Sequence, residues 1–373
     1  MSQGASKSAA PYKVEIISSL TGTGIGQGIP SADGFEAAFD AINASGGIKG
    51  HKISFQVNDD QSSTTVSAAA ARTAVGANPI AIMDGSTTNY LSAREPVYES
   101  SNVTVFSTDA TGLPFFPWLF SDGFTAHQGA LAGVNSLKAV LGGTLTGKKI
   151  AFVLAASPGA LAVAGAMSKI IATDGGSVTT QQQQPIGAPS FASGAANVLA
   201  THPDGVVNVD TAGDTIVEAK ALDAAGYTGP FVGLYSAGDT STFQAINSPN
   251  FYVGRAMDVA APGNTLQKLA KKYGLTAGAS SSLYGFGYVA GYTLAAGLQK
   301  CGYPCNGPGL QKALDALHTF NVPGKVTFAP FYLSPTEHSM MDTIQLFRWN
   351  SSKQQAVAFG KPFTAGLDDY KPV

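Results

Sequence analysis

The sequence predicts an α/β protein of two lobes, each built on a parallel sheet and joined by several passes of chain. Three observations carry this expectation. Short aliphatic and β-branched runs alternate with amphipathic helical stretches from Lys13 onward, and such a βα rhythm needs crossover helices and therefore parallel strands. The rhythm occurs twice, and each series has enough strands for its own sheet. At 373 residues, 44% of them hydrophobic, the chain is longer than one typical domain and buries a large core.

In order, KVEIISS (Lys13 to Ser19) reads as the first strand and LTGTGIGQGIP as a glycine-rich turn. A helix follows over Ala32 to Asn43, where Phe35, Ala38, Phe39 and Ile42 form one apolar face at i, i+3, i+4 and i+7. Gly46 and Gly47 end it with a left-handed cap. HKISFQVNDD is strand two, SSTTVSAAAARTAV helix two and IAIMDG strand three; a helix starts near Thr88, and NVTVFS is strand four. After Phe120 to Phe124 the second series opens with helix Ala126 to Leu141, followed by strand KKIAFVLAA, helix Leu161 to Ala172 and a strand near SVTTQQQ. Helix Phe191 to Ala200, strand GVVNVD, helix Thr215 to Ala225 and strand FVGLY complete it.

FYVGRAMDVAAP then reads as extended chain leading back, because helices Leu266 to Tyr273, Tyr284 to Gln299 and Leu310 to Leu317 have no complete sheet of their own. KVTFAPFYLSP is extended again, and DTIQLFRWN with QAVAFGKP forms a terminal hairpin. The chain is therefore expected to cross between lobes near 120–125, 252–260 and 329–334, and three crossings make a hinge. This gives a flexible tether over 1–11, lobe one over 12–122 plus 256–330, and lobe two over 123–255 plus 331–373.

Charge and cysteine content exclude several classes. Only 12% of residues are charged, and 22 Lys plus Arg nearly balance 24 Asp plus Glu, so no basic stripe points to nucleic acid. Cys301 and Cys305 form a lone C-x3-C, a poor zinc site where four ligands are wanted. The turn Gly302-Tyr303-Pro304 lets their sulfurs meet, favouring a local disulfide in an oxidising compartment over a buried free pair. No apolar run approaches the roughly 20 residues of a membrane helix. The start, MSQGASKSAAPYKV, lacks the apolar core of a signal peptide; an export signal is expected to have been removed upstream, with Met1 added for expression.

The richest stretch for ligand chemistry runs from Asp84 to Thr111, two strand ends with a helix between them. Hydroxyls and free backbone N–H groups collect there, since a helix N-terminus leaves N–H groups unpaired and carries partial positive charge. Thr87 and Thr88 either cap that helix or hand it to a carboxylate. In open α/β sheets, ligands bind at the carboxyl ends of strands.

Enzymatic and nucleotide-binding motifs fail on context. GGTLTGK (Gly142 to Lys148) nearly spells a P-loop, but Lys149 occupies the Ser/Thr position and the motif precedes its strand. Gly22, Gly24, Gly26 and Gly28 have the wrong spacing for a dinucleotide turn and suit a backbone close to ligand. His51, His127, His202, His318 and His338 are scattered, and no G-x-S-x-G elbow or H-E-x-x-H pair exists. Neither catalysis nor a cofactor or metal is expected.

The glycine-rich turn, its amphipathic helix, INA-x-GGI-x-G (Ile42 to Gly50) and the paired Asp59-Asp60 resemble the type I periplasmic binding proteins, in the branch of the leucine/isoleucine/valine-binding proteins of ABC importers. The likeness runs from Tyr12 through GSTT, the STDAT strand end, DGVVNVD, AGY-x-GPFVGLYS, CG-x3-C and V-x-F-x-P-x-x-x-SP. It implies a venus-flytrap: two Rossmann-like lobes on a three-stranded hinge, closing on a small solute and presenting it to a membrane permease. It also implies a monomer in the periplasm or outside the cell, or held at the cell surface by a lipid.

By the same resemblance, Thr88 with Asp109, Ala110 and Thr111 fall where lobe one holds a ligand carboxylate. Tyr235 falls where lobe two of the amino-acid binders carries an acid for the ligand ammonium. Losing that charge-assisted bond costs roughly 1.5–3 kcal/mol, so the ligand is either an aromatic or aliphatic acid without an ammonium, or an amino acid held differently. Asp109 stands where small residues are common, and either repels a carboxylate or replaces the missing acid. Gln27 falls where the family places a side chain over the ligand, Ser62 is nearby by the same alignment, and Thr211 and Asp214 lie at a lobe-two strand end; each is a pocket contact or ordinary turn chemistry. Asp59-Asp60 is read as holding its loop, and Phe115-Phe116-Pro117-Trp118 as core. The expected function is the receptor of an ABC transporter for a branched-chain-type amino acid or a related small carboxylate. The alternative is a clamshell sensor of amides or amino acids that signals to a partner protein.

Overall fold

A computed structural model describes residues 9–109, 116–121, 124–257, 263–340 and 343–364. The first series gives β1 (Tyr12–Ser18), α1 (Ile25–Ala44), β2 (Ile53–Asp59), α2 (Thr64–Gly76), β3 (Ala81–Asp84), α3 (Thr88–Ser101), β4 (Thr104–Ser107) and β5 (Leu119–Ser121). These strands form one all-parallel sheet in the order β2-β1-β3-β4-β5. The second series runs α4 (Ala126–Val140), β6 (Lys149–Ala155), α5 (Pro158–Thr173), β7 (Ser177–Gln184), α6 (Ala192–Ala200), β8 (Gly205–Val209), α7 (Ala212–Ala224), β9 (Phe231–Gly233), α8 (Thr240–Ile246) and β10 (Phe251–Arg255). After α9 (Thr265–Tyr273), α10 (Ser282–Cys301) and α11 (Gly307–Leu314), the hairpin β11 (Thr343–Asn350) and β12 (Gln355–Thr364) extends the second sheet, ordered β12-β11-β10-β9-β8-β6-β7. That sheet is parallel except at the hairpin edge.

Both sheets are buried on both faces, because successive side chains of a strand point opposite ways. On β1, Tyr12, Val14 and Ile16 pack with α1 and α10, whereas Ile17 packs with Ala71, Leu91 and Tyr98 of α2 and α3. On β6, Ala151 and Val153 belong to one cluster and Ile150, Phe152 and Leu154 to another. Phe116 and Trp118 stack at 4.8 Å, and Trp118 is buried beside Tyr98, so these two pack at the core as expected; Pro117 is exposed and Phe115 lies outside the described residues. Cys301 and Cys305 are joined in a disulfide that closes the end of α10.

The structure differs from the sequence reading in several places, adding strand β5 and helix α8, moving the start of α1 and changing the third crossing. The first helix begins at Ile25, about two turns before Ala32, and Gly28 serves packing inside it: a Cβ there would lie 2.1 Å from the Ser19 carbonyl oxygen. The Ser18 hydroxyl donates to the Gly28 carbonyl at 2.8 Å, tying that turn to β1. Residues 329–334, expected to cross between lobes, stay with the first: Phe320 and Phe331 exchange backbone hydrogen bonds, and Leu333 N–H donates to Leu317. The later segment crosses instead. Ser121 N–H donates to the His338 carbonyl, and Met340 N–H donates to Ser121, so 338–340 runs beside the end of β5 on its way to β11. The sequence marked 325–335 as extended but carried no information on which partner it would meet, and left 338–340 unread.

This topology fixes where a site can form. The chain leaves the first sheet at the end of β5, parallel to β4, and leaves the second at the end of β10, parallel to β9. The C-terminal edges of both sheets therefore turn toward the other lobe.

Candidate functional site

In lobe one, four strand ends supply Ser19, Asp59, Asp60, Asp84 and Ser107 within one hydrogen-bonded edge. Asp59 accepts from the N–H groups of Leu20 (2.9 Å) and Gln61 (2.8 Å) and from the Thr21 hydroxyl (2.7 Å), which clamps the two loops together. These donors outweigh partial burial and lower its pKa. Asp60 accepts from the Ser19 hydroxyl (2.7 Å), the Ser86 hydroxyl (2.7 Å) and Ser62 N–H (2.9 Å). Both aspartates hold backbone, as their turn position suggested.

The Arg94 guanidinium on α3 joins Asp60 to Asp84, and all three side chains are fully buried. Arg94 Nε also donates to Ser67 (2.7 Å), Nη2 to Ser86 (3.0 Å), and Tyr98 donates to Asp84 (3.2 Å). Burial opposes the charge on Arg94, but Asp84 and Asp60 outweigh it and its pKa is raised. The sequence reading missed Arg94. In a chain so poor in charge, an arginine inside an Ala/Ser helix is itself the signal that a buried acid needs it.

On this frame sit the predicted pocket residues. Ser62 donates to the Thr21 carbonyl (2.7 Å) and accepts from Gly24 N–H (2.8 Å), so its hydroxyl is engaged in the glycine turn. Gln27 reaches from α1 to the Ser86 carbonyl at 3.3 Å, beside the start of α3. Thr87 is the N-cap of α3 with extended backbone, yet its side chain makes no capping hydrogen bond. Ser63, Thr125, Ser157 and Thr211 all cap their own helices. The positive end of α3 is thus left without its own side-chain oxygen at a strand-end edge. Asp109 is half-buried just past β4, its N–H donating to Ser107 (3.2 Å). Ala110, Thr111 and the side chain of Thr88 lie outside the described residues.

In lobe two, Thr211 follows β8 and caps α7, accepting from Asp214 N–H (3.2 Å) and donating to the Asp214 carboxylate (2.7 Å); Asp214 also accepts from Gly187 N–H (2.9 Å). Beside them Asp210 and Glu218, neither foreseen, are buried. Glu218 accepts from Gln184 (2.6 Å) and Asn208. Burial, reinforced by Asp210 and Asp214, pushes Glu218 up to about 9, and burial likewise pushes Asp210 up to about 7. The sequence did carry a signal: Asp210, Asp214 and Glu218 recur every four residues, on one face of a helix and its lead-in.

The lobes meet beside these edges. Tyr235, in a short turn after β9, packs against Phe124 (5.0 Å between rings) and against Phe286 of α10 (5.5 Å), an aromatic contact from lobe two to lobe one. Asp239 is the N-cap of α8 but caps across the cleft instead, accepting from Ser282 N–H (3.1 Å) at the start of α10. Burial pushes Asp239 up to about 6 against the pull of Ser282 and Arg255. Among the described residues no group of three or more His, Cys, Asp or Glu is arranged to hold a metal ion, and no helix is long and apolar enough to cross a membrane.

Two α/β lobes, with parallel strand ends facing each other across aromatic and capping contacts, define a bilobal binding protein. Residues 11–355 match the family model described as periplasmic binding protein, and the chain belongs to that family, of type I. Among solved structures it resembles a fatty acid ABC transporter substrate-binding protein from Thermomonospora curvata (18% identity, TM-score 0.80, covering 98% of this chain and 95% of that one). It also resembles LivJ from Streptococcus pneumoniae in complex with isoleucine (18%, TM-score 0.73, 93% and 99%) and the leucine-binding protein LivK from Thermotoga maritima (14%, TM-score 0.77, 94% and 98%). At these identities the likeness establishes the fold. No curated protein matches the chain.

Proposed function

We propose that this chain is the extracellular or periplasmic receptor of an ABC importer and binds a small carboxylate, an amino acid of branched-chain type or a related acid, between its lobes. The observation that carries the reading is the start of α3, where Thr87 leaves the helix N-terminus without a side-chain cap at a strand-end edge. A ligand carboxylate there would accept from backbone N–H groups and gain from the helix dipole. Thr88, Asp109, Ala110 and Thr111 are proposed to hold that carboxylate, with Gln27 and Ser62 contributing from the glycine turn. Tyr235, Thr211 and Asp214 are proposed to engage from lobe two as the hinge closes. Closure follows only if the ligand binds the closed form better than the open one, and the closed form is what a membrane permease would recognise. No chemistry is proposed.

A thermal-shift screen of branched-chain and aromatic amino acids, alongside their amine-free acids, tests the reading. A ligand at 100 times its dissociation constant adds about 2.7 kcal/mol and raises the melting temperature. If neither series raises it, the carboxylate-receptor reading fails.

A further inference from the structure

A carboxyl of lobe two caps a helix of lobe one. Asp239 has the extended backbone of an N-cap at the start of α8, yet its side chain makes no hydrogen bond to that helix. It accepts instead from Ser282 N–H at 3.1 Å, while Ser281, the N-cap of α10, accepts from Leu283 N–H at 3.2 Å. The start of α10 is thus capped from both lobes. Gly278, just ahead of α10, packs on Pro30 near the start of α1, and Gly291 packs on Ala38 further along both helices: a Cβ would lie 2.4 Å and 2.5 Å away, respectively. The two helices therefore run side by side in one direction, and α10 begins, as α1 does, at the strand-end edge of lobe one. Asp239 follows β9 at the facing edge of lobe two, and Tyr235 and Phe286 cross beside it with 5.5 Å between rings.

This seat is poor in compensating charge. Among the described residues, no lysine, arginine or histidine forms an ion pair with Asp239. From α10 it faces Ser281 and Ser282; from β10 it faces Arg255, whose Nε donates to the Gly238 carbonyl at 2.6 Å and whose guanidinium lies over the Phe243 and Phe347 rings. A carboxyl in water is ionised at neutral pH, and moving it into such a seat disfavours the charged form.

We propose that Asp239 couples lobe closure to pH: it is solvated and ionised while the lobes are apart, and takes a proton from solvent as it seats on the start of α10. This inference rests on the receptor reading above. The neutral carboxyl still accepts from Ser282 N–H through its carbonyl oxygen, so the cap survives protonation; no covalent bond to carbon forms or breaks. Burial holds Asp239 up at about 6 in this seat, against the pull of Ser282 N–H, Arg255 and Ser281, whereas a solvated aspartate titrates near about 4. The closed form therefore binds the proton more tightly than the open one. Closure takes up a proton between about pH 6 and about pH 4, and affinity for a ligand that closes the lobes rises as pH falls through that window.

The test is calorimetry on the full chain and on Asp239→Asn with L-leucine, L-phenylalanine, 4-methylpentanoic acid and 3-phenylpropanoic acid, in buffers of different ionisation heat at about pH 5 and about pH 8. Asparagine keeps the capping oxygen and removes the titration. The variant is expected to bind more tightly than the unaltered chain at about pH 8, and that advantage to shrink about tenfold at about pH 5. Taking the ratio of the two proteins at each pH cancels the titration of the ligand and of Asp210 and Glu218. At about pH 5 the unaltered chain is expected to take up close to one proton more per ligand than the variant. A ratio of affinities that is the same at both pH values, or equal proton uptake by the two proteins, would overturn the inference and leave the receptor standing. Should Asp239→Asn not fold, Asp239→Ser, which also keeps a capping oxygen, takes its place. If none of the probes binds, the carboxylate-receptor reading fails and this inference goes with it.

Discussion

The two lobes bury acids at equivalent strand ends and neutralise them in opposite ways. In lobe one, Asp60 and Asp84 share a permanent cation, Arg94, whose remaining donors go to Ser67 and Ser86. In lobe two, Asp210, Asp214 and Glu218 have only neutral donors, and burial keeps protons on Asp210 and Glu218. The first arrangement carries its own cation and links α2, α3 and two strand ends through it. The second has no cation of its own and gives up its protons as pH rises through about 7 for Asp210 and about 9 for Glu218.

The largest expected effect comes from breaking the paired lobe. Arg94→Met leaves two buried carboxylates without a cation and should cost about 3–5 kcal/mol of stability, read by urea unfolding. A loss below about 1 kcal/mol would mean that the triad is not what organises this edge.

The proton-holding lobe is probed next. The folded form holds protons on Asp210 and Glu218 that an unfolded chain gives up near pH 4, so stability from these groups is full below that point. It is lost as pH rises through about 7 for Asp210 and about 9 for Glu218. Glu218→Gln removes one titration, so its melting temperature should fall less between about pH 5 and about pH 9 and exceed that of the unaltered chain at the alkaline end. Parallel melting curves for the two proteins would contradict the assignment.

Smaller effects sharpen the contrast from the lobe-one side. The Cys301–Cys305 disulfide closes a loop with a sequence separation of 4, so replacing both cysteines by serine should cost about 2 kcal/mol in the chain-entropy model. Calorimetric affinity for a ligand should be unchanged by that replacement. Thr88→Ala should weaken carboxylate binding by about 1 kcal/mol with little change in melting temperature; equal affinities would remove Thr88 from the site.

Much of this fold was legible because apolar periodicity reports directly on burial. The alternation on β1 and β6, the apolar face Phe35, Ala38, Phe39 and Ile42, and the glycine stop at Gly46 each follow from local sequence. The disulfide was legible because a four-residue turn leaves its sulfurs little else to meet. The start of α1 was missed because glycines that usually break helices are here required by the approach of Gly28 to Ser19. The third crossing was misplaced because partner choice among extended segments is a long-range property.

The site was less legible than the fold. Turn residues such as Ser62 and Asp59 read the same whether they hold backbone or ligand, and only the hydrogen bonds from Gly24, Thr21 and Leu20 separate the two. Arg94, Glu218 and Asp239 matter through partners distant in sequence, such as Asp60, Gln184 and Ser282. Asp239, for example, caps α10 from the other lobe.

The most direct measurement is small-angle X-ray scattering from the full chain with and without the tightest binder from the thermal-shift screen. A receptor that closes on its solute predicts a smaller radius of gyration in the bound form. A ligand that binds tightly and leaves the radius unchanged would contradict capture between the lobes.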